Sequence, residues 1–366
     1  MNLPRYKIDV EFSLALHDKT GKYFIGRDVC AANRALINRM LFWRVGADQP
    51  PRGLVAKLIG RLLAIEIEQR VRSSTFDRLA PRVDSRRPVL HMDPLTILLH
   101  RLSARDIVLC HDVGPVTHPQ LFHPKVATFY EKAYREIAAA GPSMVFVSVA
   151  SQTAFHALYK GRFADSRVIY PAIRAEMQGG AQSAPPRVSG SFLLTVGSIG
   201  ARKNQRCAIE AFARSGLAAD GVGYVLCGSR EAGADGVVEA ASQTPGVVLL
   251  DYVTDEELNW LYANAAGFVL PSLLEGFGVP VAEAISRGLV PIVSADSVLH
   301  EVAGDGAVLV DPNDPGRIAD AMCKLVAMPV AERRRRQAAS ALALARFSPE
   351  AFDRGWREVI QRAAAL

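Results

Sequence analysis

Short apolar runs alternate with helical stretches along most of the chain, and this pattern predicts a mixed α/β protein. Each run is long enough for one buried strand, and a turn followed by an amphipathic stretch comes after most of them. Strands that alternate with helices indicate parallel sheets covered by helices. The clearest predicted strands are residues 105–109, 144–149, 167–170, 192–196, 224–227, 247–249, 266–270, 290–294 and 307–310.

The chain opens with an alternation of apolar and polar residues over 6–16, which predicts the first strand. A glycine-bearing turn over residues 17–27 follows, and residues 28–41 predict a helix. Strand, glycine turn and helix are typical of the start of a nucleotide-binding α/β domain. The turn contains neither GxGxxG nor GxxxxGK[ST], so it is not one of the usual phosphate fingerprints.

Residues 53–72 predict a basic amphipathic helix. Such a helix either lies on a membrane surface or packs against the core with a solvated basic edge. Its apolar positions and the basic residues between them are Leu54, Leu58, Leu62, Ile65, Lys57, Arg61, Arg70 and Arg72.

Length and composition point to two domains. The chain has 366 residues, of which 49% are hydrophobic and 22% charged, values typical of an ordinary globular protein. A stretch rich in Gly, Ser, Ala and Pro over residues 179–190 has the composition of a linker. We therefore expect domains over residues 1–185 and 186–345, and a C-terminal helix over 346–366 that packs back on the first domain.

Charge is distributed unevenly along the chain. Residues 1–185 contain 26 Lys and Arg against 16 Asp and Glu, whereas the remainder contains 17 against 21. The basic first half suits an anionic membrane surface or an anionic acceptor, or else is a solvated basic face. The four arginines at 333–336 predict a solvated helix face, and we expect no nucleic-acid partner.

Five scattered cysteines form no CxxC pair and no metal-ligand spacing, which fits the reducing cytosol. The first seven residues lack the apolar core of a signal peptide. No uncharged run approaches the ~20 residues that a transmembrane helix needs. We expect a cytoplasmic protein without a bound metal.

The most informative stretch is residues 270–284, LPSLLEGFGVPVAEA. An apolar strand leads into a turn with two glycines, and Pro280 is suited to the first turn of a helix over Val281–Arg287 that Gly288 closes. A glycine loop at a helix N-terminus is an anion site. Because carboxylates repel phosphate, Glu275 and Glu283 are expected to accept hydroxyl groups instead. Together these features predict a sugar-nucleotide pocket.

Three spaced blocks carry a resemblance to a known family. Residues 275–283, EGFGVPVAE, resemble the Glu-x7-Glu signature of retaining glycosyltransferase family 4. Residues 197–204, GSIGARKN, resemble the donor-phosphate loop of that family, and the similarity extends through 251–258. The resemblance implies a GT-B architecture, in which two Rossmann-like domains face each other across a cleft, and transfer with retention and without a catalytic metal.

The resemblance also implies roles for residues of the second domain. Arg202 and Lys203 would neutralise the leaving diphosphate, with help from the amides of the glycine turn. Glu275 would hold hexose hydroxyls and stabilise positive charge at the anomeric carbon, and Glu283 would bind the ribose. The remaining expected donor contacts are Val253 at the nucleobase and Gly276, Phe277 and Gly278 at the helix start.

In the first domain the expected site residues are His111, Asp112 and Gly21. His111 and Asp112 follow a predicted strand, at the end where open α/β sheets bind ligands. His111 either contacts the transferred sugar or has a structural role, and Asp112 would contact the acceptor. Gly21 would let the backbone approach the diphosphate, although the loop departs from the GxGxY form of the family and Gly26 is the other candidate.

The substrates are predicted less directly. The second domain resembles those of family members that use GDP-mannose, and the nucleotide sugar would be a substrate rather than a cofactor. The acceptor would be a saccharide or lipid-linked saccharide of bacterial O-antigen or exopolysaccharide synthesis, met at the cytoplasmic face of the inner membrane. Alternatives are a UDP-sugar donor, a non-catalytic glycosyltransferase-like subunit, and a nicotinamide enzyme, which the missing GxGxxG disfavours.

Overall fold

The computed structural model describes residues 7–16, 21–173 and 180–365, and it divides the chain into two units. The first comprises residues 1–171 and 349–366, and the second comprises 172–348. These divisions fall at 171/172 and 348/349 rather than at the 185/186 and 345/346 that the sequence suggested. Gly179, where the expected linker begins, lies outside the described residues.

The described residues of the first unit form a seven-stranded sheet in the order β3-β2-β1-β4-β5-β6-β7. All neighbouring strands are parallel except β2 and β3, which pair antiparallel. Its strands are β1 (Ile8–Glu11), β2 (Ile37–Phe42), β3 (Val45–Ala47), β4 (Val89–His91), β5 (Ile107–Cys110), β6 (Ser143–Phe146) and β7 (Asp165–Val168). Its helices are α1 (Gly21–Ala32), α2 (Gly53–Arg72), α3 (Ser74–Leu79), α4 (Gly114–Thr117), α5 (Pro124–Ala140), α6 (Val149–Leu158) and the C-terminal helix (Pro349–Ala365), which contacts α1, β1 and β5.

In the second unit, the part that the structure describes contains a six-stranded sheet in the order β10-β9-β8-β11-β12-β13, and every neighbouring pair is parallel. Its strands are β8 (Ser191–Val196), β9 (Val222–Cys227), β10 (Val247–Leu250), β11 (Gly267–Leu270), β12 (Pro291–Ser294) and β13 (Val308–Val310). Its helices are α7 (Gln205–Ser215), α8 (Ala234–Gln243), α9 (Asp255–Asn264), α10 (Val279–Ser286), α11 (Val298–Ala303), α12 (Pro315–Val326) and α13 (Val330–Leu344); the C-terminal helix of the first unit is then α14.

Both sheets have the order of a doubly wound fold, and in each the strand order reverses at one point. This point lies between β1 and β4 in the first unit and between β8 and β11 in the second. In open α/β sheets, ligands bind beyond the carboxyl ends of the strands at such a reversal. The topology therefore directs attention to the loops that follow these four strands.

The expected strand over 6–16 is wrong beyond Glu11. The chain turns into a short 3₁₀ helix at Ser13–Leu16, and Tyr6 lies outside the described residues. All four residues of β1 are buried, because β2 and β4 flank it and α14 contacts it. The polar positions of β1 are buried with partners: Asp9 accepts a hydrogen bond from Nε of Arg39, and Glu11 accepts one from the Ser13 hydroxyl.

The helix expected over 28–41 is confirmed only as far as Ala32. Helix α1 already begins at Gly21, and Ile37–Phe42 form strand β2 beside β1. Residues 17–20 of the expected turn lie outside the described residues. Three consecutive residues at the end of β2 are buried, a run that fits both a helix and a buried strand, and the parallel pairing with β1 decides between them.

Helix α2 confirms the helix expected over 53–72, but its faces are not those of a core-packed basic helix. The core face consists of Ile59, Leu63 and Ile67. The apolar residues on which the prediction rested are exposed: Leu54, Leu58, Leu62 and Ile65. Of the basic residues, Arg70 is fully buried and bonds to Glu66 through Nη2 at 2.7 Å.

The four arginines at 333–336 form the expected solvated face only in part. Arg333 donates to the carbonyl oxygens of Ala266 and Leu325, and Arg336 donates to that of Ala307. Arg334 and Arg335 are exposed. Two of the four therefore attach α13 to the body of the second unit.

Candidate functional site

The central pair of strands in the second unit, β8 and β11, positions the acidic and basic residues that the sequence singled out. After β8 the chain forms a short 3₁₀ helix at Ala201–Lys203. After β11 it runs through Ser272 and Glu275 to the N-terminus of α10. Because the strands are parallel and adjacent, both loops leave the sheet at the same edge.

At this edge Glu275 is surrounded by donors. The Lys203 ammonium lies 2.5 Å from Oε1 of Glu275, and the Ser272 hydroxyl donates to the same oxygen at 2.9 Å. Nη1 of Arg202 lies 3.4 Å from Oε2 and 3.2 Å from the carbonyl oxygen of Leu274. The structure thus brings together three of the predicted site residues, Arg202, Lys203 and Glu275.

The cluster is held by bonds that connect the two loops to each other and to the segment after β13. The backbone N–H of Leu273 donates to the carbonyl oxygen of Arg202 at 3.0 Å. The Asn204 amide donates to the carbonyl oxygens of Pro271 at 3.0 Å and Pro312 at 2.7 Å. These contacts fix the cations relative to Glu275 before any ligand binds, which is the preorganisation that electrostatic catalysis needs.

Charge keeps Glu275 ionised in a buried position. Its side chain is only 6% exposed and that of Lys203 only 8%. Burial disfavours the carboxylate, but the positive charges of Lys203 and Arg202 outweigh burial and hold the pKa of Glu275 below its usual range. The second guanidinium nitrogen of Arg202 lies 3.4 Å from Glu231, so this cation is shared between two acids.

The start of α10 depends on glycine. Gly278 is the N-cap, has a φ of +96°, and a Cβ atom there would lie 2.3 Å from Cδ2 of Leu299. Helix α10 begins at Val279, two residues before the predicted start, and Pro280 occupies its first turn as expected. Gly288, with a φ of +76°, follows the helix end. Phe277 is buried against the ring of Phe347.

Glu283 lies in α10 and is 6% exposed. The Tyr262 hydroxyl donates to its Oε2 at 3.0 Å.

Val253 follows β10, at the far side of the same sheet edge, and is half-buried. Its neighbour Tyr252 is 84% exposed, and nearby Asp251 pairs with Arg230 at 2.7 Å. Thr254 and Glu257 form a capping box that begins α9, so part of the 251–258 block has a structural role.

Because the sheet order is β10-β9-β8-β11, the predicted donor contacts lie one after another along one edge of the sheet in the second unit. Val253 follows β10, Lys203 follows β8 and Glu275 follows β11. A nucleotide sugar with its base at Val253 and its hexose at Glu275 would extend across neighbouring strands, with the diphosphate between them.

In the first unit, His111 follows β5 and is buried. Its Nε2 lies 3.1 Å from the carbonyl oxygen of Met92, so the neutral ring donates there and Nδ1 is left as an acceptor. Burial, together with the positive charge of Lys22, lowers the pKa of His111 to about 4. Asp112 accepts the Gly114 N–H at 2.8 Å, which fixes the turn into α4.

The sequence missed a polar cluster beside His111. The Lys22 ammonium lies 3.3 Å from Oδ2 of Asp93 and 3.2 Å from the Tyr130 hydroxyl, which itself donates to Asp93 at 3.0 Å. Burial disfavours the Asp93 carboxylate, but the Lys22 charge holds its pKa below the usual range. Asp93 comes two residues after β4. A predicted strand that ended at His91 would have indicated Asp93 as a candidate site residue.

The two glycine candidates of the first unit differ in their surroundings. A Cβ atom at Gly21 would meet no atom within 4 Å, so packing within this unit does not require glycine there. A Cβ atom at Gly26 would lie 2.5 Å from the Phe12 ring, so Gly26 lets α1 pack closely on that ring.

Two absences concern the described residues alone. No group of three or more His, Cys, Asp or Glu among them is placed to hold a metal ion. Within the same residues, no helix is both long and apolar enough to cross a membrane.

Comparisons with known proteins agree with this geometry. The family model described as glycosyl transferases group 1 matches residues 182–342. The chain is 30% identical over 279 residues to O-antigen chain mannosyltransferase B of Escherichia coli, covering 71% of this chain and 72% of that protein. A shorter match, 44% over 68 residues and 19% of each chain, is to O-antigen chain mannosyltransferase RfbU of Salmonella typhimurium.

Among solved structures, Anabaena Alr3699/HepE in complex with UDP and glucose superposes with a TM-score of 0.68 at 16% identity, covering 98% of this chain and all of that one. This likeness, together with the two parallel sheets flanked by helices, shows the GT-B fold that the resemblance implied.

Proposed function

The chain belongs to the group 1 glycosyl transferases and is a glycosyltransferase, and from that premise we propose that it moves mannose from GDP-mannose to a saccharide or lipid-linked saccharide. Two relatives are named O-antigen chain mannosyltransferases, which supports mannose as the sugar and a bacterial surface polysaccharide as the product. Such an acceptor puts the reaction in the cytoplasm, at the inner face of the inner membrane.

The observation that carries this proposal is the pairing of Lys203 and Arg202 with Glu275 at the β8–β11 edge. Negative charge grows on the diphosphate when its bond to the anomeric carbon breaks, and fixed cations stabilise it. We propose that the diphosphate takes over both cations when the donor binds. Glu275 is then released to accept hexose hydroxyl groups and to stabilise positive charge at the anomeric carbon.

The transfer proceeds with retention in this proposal. The bond from the anomeric carbon to the diphosphate oxygen breaks, and the acceptor oxygen bonds to the same face of that carbon. The acceptor proton passes to the departing diphosphate. Because Arg202, Lys203 and the amides of Gly276 and Gly278 supply the neutralising charge, no divalent ion takes part.

The remaining predicted residues receive supporting roles. Glu283, buried in α10 where it accepts the Tyr262 hydroxyl, is assigned to the ribose hydroxyls. Backbone groups at Val253 are assigned to the nucleobase. His111, neutral and an acceptor at Nδ1, is assigned to a hydroxyl of the transferred sugar.

A thermal-shift screen with GDP-mannose, UDP-glucose and ADP-glucose tests the donor, because a ligand that binds only the folded state raises the melting temperature. We expect a selective increase with GDP-mannose. A melting temperature that increases only with UDP-glucose would identify a UDP sugar as the donor instead. No increase with any of the three nucleotide sugars would contradict the proposed donor site.

The reaction itself is tested by transfer from the donor that the screen selects to a lipid-linked saccharide, in the presence of excess chelator. We expect undiminished transfer and an α-anomer in the product from the α-linked donor. A strict need for a divalent ion would overturn the metal-free proposal, and an inverted anomer would overturn retention.

A further inference from the structure

Helix α2 has two apolar faces, and only one of them packs on the protein. The packed face consists of Ile59, Leu63 and Ile67. The other face, which we name the α2 ridge, consists of side chains that are between 38% and 83% exposed: Leu54, Val55, Leu58, Leu62 and Ile65. At 3.6 residues per turn, the ridge fills an arc of about 100° that points away from the packed face.

The ridge is larger than the scattered apolar residues of an ordinary surface. Five aliphatic side chains follow one another over three turns of helix, about 17 Å along the axis. Contiguous exposed apolar patches of this kind mark surfaces that bind a partner, whereas single exposed leucines need no explanation.

Basic residues border the ridge. Lys57 and Arg61 are exposed, lie one turn apart on one side of it, and belong to no ion pair among the described residues. Arg52 is exposed directly before the helix. Residues 52–65 contain no Asp or Glu, and the first acid of the helix, Glu66, is committed to Arg44 and Arg70.

We propose that the α2 ridge binds the anionic surface of a lipid bilayer. The aliphatic side chains enter the boundary between headgroups and acyl chains, while Lys57, Arg61 and Arg52 meet the acidic headgroups. The helix lies along the interface and does not cross it. This proposal deepens the membrane location on which it rests, because it names the surface and the lipid charge.

Charge argues for lipid over a second copy of the chain. A symmetric dimer through the ridge would bring the same patch of each copy together, so that the uncompensated cations of one copy would face those of the other. An anionic bilayer satisfies both the aliphatic and the basic parts of the surface. The sequence left membrane binding and core packing as alternatives, and α2 has a separate face for each, one packed and one exposed.

The test is flotation of the full chain with phosphatidylcholine vesicles and with mixed phosphatidylcholine–phosphatidylglycerol vesicles, without donor or acceptor. The chain is expected to float with the anionic vesicles, and less so at 1 M salt, where screening shortens the Debye length to about 3 Å. Lys57→Gln and Arg61→Gln should each weaken binding roughly fivefold. The double variant Leu58→Ser/Leu62→Ser should abolish it.

Two matched controls come from α13. Leu342 is 79% exposed and Arg335 is exposed, so Leu342→Ser and Arg335→Gln make similar changes on another surface and should leave vesicle binding unchanged. Circular dichroism melting of each variant checks that the fold is kept.

Equal binding of wild type and the Leu58→Ser/Leu62→Ser variant would overturn the proposal, as would wild type that does not float with anionic vesicles. Sedimentation velocity adds a further decisive outcome. A wild-type dimer that Leu58→Ser converts to a monomer would assign the ridge to a second copy. Because no sugar is present, failure here leaves the proposed transfer reaction intact, and a failed transfer assay leaves the vesicle result intact.

Discussion

The ammonium group of Lys203 lies 2.5 Å from a carboxylate oxygen of Glu275, with both side chains almost completely buried. Seventy-two residues separate them in the chain, and the adjacency of β8 and β11 brings them together. Because a buried ion pair contributes little net stability compared with apolar residues, this pair is better explained by the chemistry of the site than by the stability of the fold.

Variants of Lys203 and Glu275 can distinguish a contribution to the stability of the fold from a contribution to sugar transfer. Lys203→Met should lower the free energy of unfolding by about 3 kcal/mol, because it leaves a buried carboxylate with fewer partners. Adding Glu275→Gln removes that unpaired charge and should restore most of the stability, while sugar transfer stays at least 100-fold below wild type. Urea unfolding and initial rates of transfer measure the two effects.

The exposed Lys324→Met change on α12 serves as the control and should alter neither quantity. If the double variant regained activity together with stability, the pair would be structural.

His111 should act as a neutral residue throughout the working pH range. Since its pKa is lowered to about 4, the ring is already neutral between pH 5 and 8 and does not change its charge there. His111→Asn should reduce kcat/KM about fivefold, the value of one hydrogen bond to an uncharged group, and should leave the shape of the pH profile unchanged. An inflection near pH 6.5 in wild type that disappears in His111→Asn would contradict this assignment.

Glu11 makes the first unit less stable as the pH rises. Burial raises the pKa of Glu11 from 4.5 to about 7, so the folded state holds a proton that the unfolded state has lost between these values. The free energy of unfolding therefore falls as pH rises from 4.5 to 7 and then levels off.

Glu11→Gln removes this loss. The variant should be more stable than wild type at pH 8 by up to about 3 kcal/mol and equal to it near pH 4. Urea unfolding at the two pH values measures this, with the exposed Glu350→Gln on α14 as the control. A stability difference that is the same at both values would mean that Glu11 does not titrate as described.

The turn after β9 should tolerate no side chain. Gly228 has a φ of +151°, and a Cβ atom there would lie 2.0 Å from the carbonyl oxygen of Gly197, in the loop that carries Lys203. Gly221, just before the same strand, has a φ of +75° with open space around it. Gly221→Ala should cost about 1–2 kcal/mol from backbone strain alone, and Gly228→Ala clearly more.

Urea unfolding compares the two variants, and only Gly228→Ala should also weaken nucleotide binding. Equal stability of the two variants would contradict this prediction, because it would mean that the turns after β8 and β9 can move apart without loss of free energy.

The second unit could be predicted well because its signals are local. Pro280 and Gly288 mark the ends of α10, and the capping residues Thr254 and Glu257 mark the start of α9. Each of these residues acts through its own backbone conformation or through bonds to its neighbours in the chain. Sequence reasoning therefore located the loops that carry Arg202, Lys203 and Glu275.

The first unit was harder to predict because the contacts that determine its structure join residues far apart in the chain. Asp9 is buried because Arg39, thirty residues later, neutralises it, and no local pattern records this. The same holds for Lys22 and Asp93, which are seventy-one residues apart. The sequence could identify the charged residues, but only the folded sheet determines which of them pair with each other.

The most direct test of the account is calorimetric titration with GDP and with UDP of wild type and of the variants Lys203→Met/Glu275→Gln and Arg334→Gln. Both nucleotides carry the diphosphate that Arg202 and Lys203 are proposed to bind, so the result does not depend on the identity of the base. We predict that wild type and Arg334→Gln bind one of the two nucleotides with equal affinity, and that the double variant binds it at least tenfold more weakly. A double variant that binds that nucleotide as tightly as wild type would contradict the assignment of this site to the donor.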